Sequence, residues 1–78
     1  MNTAFRTDVS NFVASPRFRG LGRTGKLQSL ADMDGALRAC VARHVARGSF
    51  GKVIGQLLDQ DVTNVINEFR EPILKEGP

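Results

Sequence analysis

The stretch SLADMDGALRACVARHVAR, residues 29–47, carries the clearest structural signal in this chain. Ser29 and Asp32 resemble a capping box at its start, and Gly48 is well placed to end a helix. At about 100° per residue, one broad face collects most of the apolar side chains together with the only histidine. This face contains Leu30, Met33, Leu37, Cys40, Val41, His44 and Val45. The pattern predicts a central helix over residues 29–47.

After Gly48 the helical pattern returns in two groups, the first over residues 50–58 and the second from Val62 onward. A single helix would turn its apolar stripe by about 100° between the two groups and would place Asp61 among the apolar side chains of the first. We therefore favour a break at residues 59–61, with Asp61 as the N-cap of a new helix, over one continuous helix. The predicted helices span residues 50–58 and 61–71, and Pro72 ends the second.

Before residue 29 the composition changes to a basic, glycine-rich arm, residues 1–28. A short helix is predicted over residues 7–14 and a loop over residues 16–26, because three glycines lie between Gly20 and Gly25. The arm has a formal charge of about +4, whereas residues 49–78 have about −2. No segment shows the period-two alternation of a strand. The predicted fold is all-α, a small bundle of three to four helices whose core lies in residues 29–78.

Length and composition limit the number of domains, the oligomeric state and the compartment that we expect. The chain has 78 residues and a formal net charge of +3, so it forms one domain, which buries only roughly 60% of its unfolded surface. The single cysteine, Cys40, cannot form an intrachain disulfide, so we expect a homodimer to supply the missing buried area. An unpaired cysteine is typical of a reducing compartment. We also find no signal peptide and no run long enough to span a bilayer, and so predict a cytoplasmic protein without a membrane partner.

Two sequence patterns resemble a catalytic or a metal site, but each lacks residues that the chemistry of such a site requires. GLGRTGK, residues 20–26, has the G-x-x-x-x-G-K spacing of a phosphate loop, but Leu27 stands where a hydroxyl must bind Mg²⁺ and no strand precedes it. Cys40 and His44 are one helical turn apart, yet a metal would need further Cys or His ligands, which the sequence lacks. We therefore predict no cofactor, no metal and no enzymatic activity, and we place Cys40 in the core.

Residues 50–70 also resemble a helix-turn-helix motif. The turn at residues 59–61 lacks the usual apolar residue and glycine, and the second helix carries acidic side chains that repel phosphates. An ordinary αα-hairpin is the better interpretation.

The basic arm motivates the first functional hypothesis, a small regulatory protein that contacts nucleic acid or a nucleoprotein complex. Its cations would neutralise phosphates and its aromatic ring would stack on a base, unless that ring anchors the arm to the core. The predicted binding residues are Arg17, Phe18, Arg19, Arg23 and Lys26. The same cations could instead pair with the acidic C-terminal helix of the same or another chain.

The alternative hypothesis is an inhibitor or adaptor that binds a host protein stoichiometrically, of the kind that phages and mobile elements encode. That comparison is an analogy of size and type. A helical face would then be the contact. Separately, the residues that could form a dimer face or a core helix face are Leu37, Cys40, Val41, His44, Val62, Val65, Ile66 and Phe69.

Overall fold

The computed structural model describes residues 3–76, with side chains from residue 5 onward. Within this range the chain forms four helices: α1 (Thr3–Ala14), α2 (Pro16–Arg19), α3 (Arg23–Ala46) and α4 (Lys52–Leu74). No strand occurs between residues 3 and 76. The prediction of an all-α helical fold is confirmed.

The two long helices, α3 and α4, pack against each other as an antiparallel hairpin. Three contacts fix the register: Lys26 with Glu76 at one end, Arg38 with Thr63 midway, and Val45 with Gly55 near the turn. A Cβ atom placed on Gly55 would lie 2.6 Å from Val45 Cγ2. The absence of a side chain at Gly55 therefore lets the helices approach closely. The molecule is elongated, with extents of 43 × 19 × 18 Å.

Gly48 ends α3, as predicted. Its φ of 77° lies in the left-handed region that glycine adopts without a steric penalty. The Gly48 N–H donates to the Val45 carbonyl and the Ser49 N–H donates to the His44 carbonyl, both at 3.0 Å. These two bonds form a Schellman motif, which satisfies carbonyls that the helix end leaves without partners. The chain can then reverse and begin α4 at Lys52.

Helix α1 covers only part of this hairpin. α1 has 12 residues and α4 has 23, which correspond to about 18 Å and 35 Å. Arg6 of α1 pairs with Glu68, and the main core cluster lies where α1 is present: Val9, Phe18, Leu30, Val62, Val65, Ile66 and Ile73. We call residues 23–37 with 62–74 the proximal half of the hairpin, and residues 38–46 with 52–61 the distal half.

The predicted glycine-rich arm is not found as a loop. Pro16 opens α2, where the Ser15 hydroxyl caps the helix by accepting from the Phe18 N–H. α3 then begins at Arg23, six residues before the predicted start, so Ser29 lies inside a helix and caps nothing. A glycine inside a helix, such as Gly25, costs about 1 kcal/mol. Burial of Leu30 and packing of Leu27 on the same helix offset that cost. The first helix also starts earlier than predicted, at Thr3 instead of residue 7.

The predicted break at residues 59–61 is wrong. α4 runs through these residues without interruption, so Asp61 is not an N-cap and residues 50–58 and 61–71 belong to one helix. The apolar stripe does turn along α4, but the helix tolerates this because its surroundings change. Val62, Val65 and Ile66 are buried beside α1 and α3, whereas the first group extends beyond α1.

Pro72 also lies inside α4, which ends two residues later at Leu74. The final turn is held by the Lys75 N–H, which donates to the Glu71 carbonyl at 3.2 Å. The proline removes one i→i−4 hydrogen bond, to the Glu68 carbonyl, and only two residues of helix follow it.

Gly55 and Gly35 provide a matched test of the close approach in the distal half. Both lie inside helices, but Gly35 has open space around its Cα. We expect Gly35→Ala to stabilise the protein by about 0.5–1 kcal/mol. Gly55→Ala gains the same helix propensity, but its methyl group overpacks against Val45 at a cost of about 1–3 kcal/mol. The substitution should therefore lower the melting temperature. Circular dichroism melts measure both effects.

A second change, Val45→Ala, should restore part of the stability lost in Gly55→Ala. A Gly55→Ala variant as stable as Gly35→Ala would contradict the close helix–helix approach.

Candidate functional site

The five residues predicted to bind a partner lie on α2 and the first turn of α3. Arg17 and Arg19 are exposed on α2. Phe18 between them is only 5% exposed, and its ring centroid lies 5.3 Å from that of Phe12. The phenylalanine therefore anchors α2 to the core, and its ring is not available to stack on a base. The structure separates the aromatic from the two arginines that flank it in sequence.

The remaining two cations of the predicted set face the C-terminal end of α4. Lys26 Nζ lies 3.3 Å from both carboxylate oxygens of Glu76, and Arg23 Nη2 donates to the Leu74 carbonyl at 3.4 Å. Arg6 pairs with Glu68 in the same way. The basic N-terminal segment and the acidic helix thus meet within one chain. Such partly exposed pairs contribute at most about 1 kcal/mol each, but they reduce the positive charge that a partner would encounter.

A shallow cavity of about 250 Å³ lies beside α2, lined by Phe12, Ser15, Arg17, Phe18, Leu21 and Ser29. The Ser15 hydroxyl is already engaged, since it donates to the Phe12 carbonyl at 2.7 Å and accepts from the Phe18 N–H at 3.3 Å. Arg17 is the one charged residue in the lining. Among residues 3–76 no three His, Cys, Asp or Glu side chains are grouped to hold a metal ion.

The predicted helical face divides into two parts. Val62, Val65 and Ile66 are in the core, and Phe69 and Leu37 pack against it. Val41 is buried in the distal half, apart from that cluster. Cys40 and His44 are half-buried there, and the His44 ring stacks on Phe50 with centroids 5.7 Å apart.

The most prominent surface feature is one that sequence reasoning missed. Val53, Ile54 and Leu57 are 69%, 47% and 56% exposed, and their spacing places them on one side of α4. We call these three residues the distal stripe. The sequence did contain a signal, since the rotation of the apolar pattern between residues 50–58 and 62–69 means that both groups cannot face the same core. Contiguous exposed apolar groups of this kind mark interaction surfaces.

A partly exposed apolar surface adjoins the distal stripe. Ile54, Leu58 and Val65 share one side of α4, and Leu37 and His44 share the corresponding side of α3, by helical spacing. Val65 and Leu37 pack in the core cluster that includes Val9 of α1. Further toward the turn, Ile54 is exposed, and Leu58 and His44 are half-buried. We call this distal surface, formed by Ile54, Leu58 and His44, the distal groove.

Basic residues surround the turn that closes the hairpin. Arg43, Arg47 and Lys52 are exposed, and no carboxylate within the described residues lies at ion-pair distance from them. We call these three residues the basic tip. Asp59 and Asp61 follow on α4, about 10–14 Å further along the helix, and Asp59 Oδ1 is buried. The distal half thus carries an apolar surface between the basic tip and Asp61.

Comparison with known proteins identifies no relative: no family model matches the chain, and neither a curated sequence nor a solved structure is significantly similar to it. None of the helices within residues 3–76 combines the length and the apolar character that crossing a membrane requires.

Phe18 and Arg17 separate the structural role of α2 from a binding role. Phe18→Ala should destabilise the protein by about 3–5 kcal/mol, as expected for a buried phenylalanine, which is comparable to the total stability of a small domain. Arg17→Ala removes an exposed side chain and should change the free energy of unfolding by less than about 0.5 kcal/mol. Urea denaturation followed by circular dichroism distinguishes the two. Equal stability of both variants would contradict the burial of Phe18.

Proposed function

We propose that this chain is a small, non-enzymatic binding protein that acts by stoichiometric contact with a protein surface through the distal stripe. The observation that carries the proposal is the exposure of Val53, Ile54 and Leu57 on one side of a regular helix. Each of them is large and apolar, and none is buried by the chain's own fold. We further infer a cytoplasmic location, supported by the unpaired Cys40.

The energetics of the distal stripe support a contact role. Fully burying a Val, Leu or Ile side chain contributes about 1.5–3 kcal/mol. Because the three side chains are about half to two-thirds exposed, covering them supplies on the order of 3–5 kcal/mol. That is enough for the centre of an interface, where a few residues provide most of the affinity. The surrounding contacts provide complementarity and exclude water.

The geometry also favours a binding surface over a substrate pocket. The cavity beside α2 holds about 250 Å³, below the 300–1,000 Å³ typical of small-molecule sites. Helices α3 and α4, by contrast, present the stripe on a preorganised surface, so little conformational entropy is lost when a partner binds.

Binding of nucleic acid or a nucleoprotein complex is the second candidate function. Arg17 and Arg19 on α2 are exposed, and no carboxylate among residues 5–76 lies at ion-pair distance from them. Because Phe18 is buried, the two arginines would contact phosphates only. Phosphate contacts position a protein on nucleic acid but do not read its sequence.

Leu57 and Leu74 provide a matched test of the first proposal. Both are exposed leucines on α4, at 56% and 43%, but Leu74 lies outside the distal stripe. A tagged wild-type protein and the Leu74→Glu variant should recover the same stoichiometric complex from nuclease-treated extract. Leu57→Glu should lose it, because a charge in the centre of an apolar contact must be desolvated. If no complex of the chain, with itself or with another protein, depends on Leu57, the proposed function is wrong.

The second candidate is tested by salt dependence. Each phosphate contact steepens the fall of log K with log salt by about 0.9 for duplex DNA. Arg17→Ala/Arg19→Ala should therefore reduce the slope by about 2. Fluorescence anisotropy with a labelled duplex measures this slope. Equally negligible binding by wild type and variant would exclude this candidate.

A further inference from the structure

We propose that a second copy of this chain covers the distal stripe and distal groove, with the two hairpins antiparallel about a twofold axis through their distal halves. This inference rests on the proposed function, since it takes the distal stripe as a contact surface and names its occupant. Two observations lead to it, the incomplete layer of helices and the distribution of charge along the hairpin, and the size of the exposed surface bounds its strength.

The first observation is that, among residues 3–76, no third helix packs on the distal half. In the proximal half, Val9 of α1 is fully buried in the core cluster beside Leu30 and Ile66. In the distal half, by contrast, Val41 and Gly55 are the buried residues. The distal groove lies on the same sides of α3 and α4 as residues that pack in the core cluster. Two distal halves placed face to face supply four helices around a shared core, an arrangement that packs stably in helical bundles.

The second observation is the charge gradient along the distal half. The basic tip, Arg43, Arg47 and Lys52, lies at the end of the hairpin, whereas Asp61 lies near its middle, about 14 Å along α4 from Lys52. In an antiparallel pair the basic tip of each copy lies over Asp61 of the other. A parallel pair would place the two basic tips together, and like charges at close range disfavour association. Charge complementarity therefore selects a second copy in the antiparallel orientation.

The size of the distal surface limits how strongly two copies associate. An isologous dimer uses the same patch on both subunits. α4 residues 52–61 span about 15 Å, and two packed helices are about 20 Å wide, so the footprint is on the order of 300 Å² per copy. The total of about 600 Å² is below the roughly 1,200–2,000 Å² of stable interfaces, so the contact is a weak, transient one. We therefore expect reversible association, with a dissociation constant in the micromolar range.

Sedimentation equilibrium of the purified full chain tests the inference. Wild type and Leu74→Glu should shift from monomer to dimer over a micromolar concentration range. Leu57→Glu and the milder Val53→Ser should weaken association by tenfold or more. Both substitutions are at exposed positions, so circular dichroism should show unchanged folding. A wild type that stays monomeric up to millimolar concentration would overturn the inference.

A charge-reversal pair tests the antiparallel orientation. Arg47→Glu places two acidic groups opposite each other across the interface, and Asp61→Lys places two basic groups there. Each variant alone should therefore associate at least about tenfold more weakly than wild type, a change that corresponds to about 1.4 kcal/mol. An equimolar mixture should recover wild-type affinity, because each heterodimer restores both pairs of opposite charges. If the mixture associates no better than the single variants, the antiparallel orientation is wrong.

The outcome is separable from that of the proposed function. A monomeric wild type whose nuclease-resistant complex with another protein is still lost in Leu57→Glu would overturn the second copy as occupant and leave the proposed function intact. Loss of every Leu57-dependent complex would overturn both.

Discussion

The antiparallel packing of α3 against α4 forms the framework of this protein. It is fixed by the Schellman turn at Gly48 and by the close approach of Gly55 to Val45. Every other element is placed relative to this hairpin, since α1 lies beside α4 and α2 closes the end where α3 begins. Because α1 is only about half as long as α4, the hairpin has a covered half and an open half. The candidate binding surface follows directly from that difference in length.

The parts of the fold that sequence reasoning predicted correctly depend on local physics. Helical periodicity identified the all-α class, and the preference of glycine for positive φ identified Gly48 as the end of α3. The same periodicity grouped Val62, Val65 and Ile66, which the structure buries together. These residues could be recognised because the spacing of apolar residues in an amphipathic helix shows which side is buried. Neither signal requires knowledge of where the helices sit in space.

The errors arose where tertiary packing outweighs a local rule. Three glycines before residue 26 predict a loop, but packing of Leu27 against the core and the contacts of Arg23 and Lys26 with the end of α4 extend α3 back to Arg23. Asp61 resembles an N-cap, yet α4 continues because its two apolar groups have different surroundings. The predictions for the candidate site were affected in the same way. In the sequence Phe18 resembles a stacking aromatic between two arginines, but it is buried in the core. The residues of the distal stripe resemble core residues, but α1 does not extend over them. Neither distinction can be drawn without the length and placement of α1.

Amide hydrogen exchange at two protein concentrations tests most directly whether the hairpin has a covered half and an open half that a second copy covers. In dilute solution, amides of residues 40–46 and 53–58 should exchange faster than those of residues 27–37 and 62–73, because fewer buried contacts oppose local opening. At high concentration the distal amides should gain protection while the proximal ones stay unchanged. Equal protection of both halves, unaffected by concentration, would contradict the account.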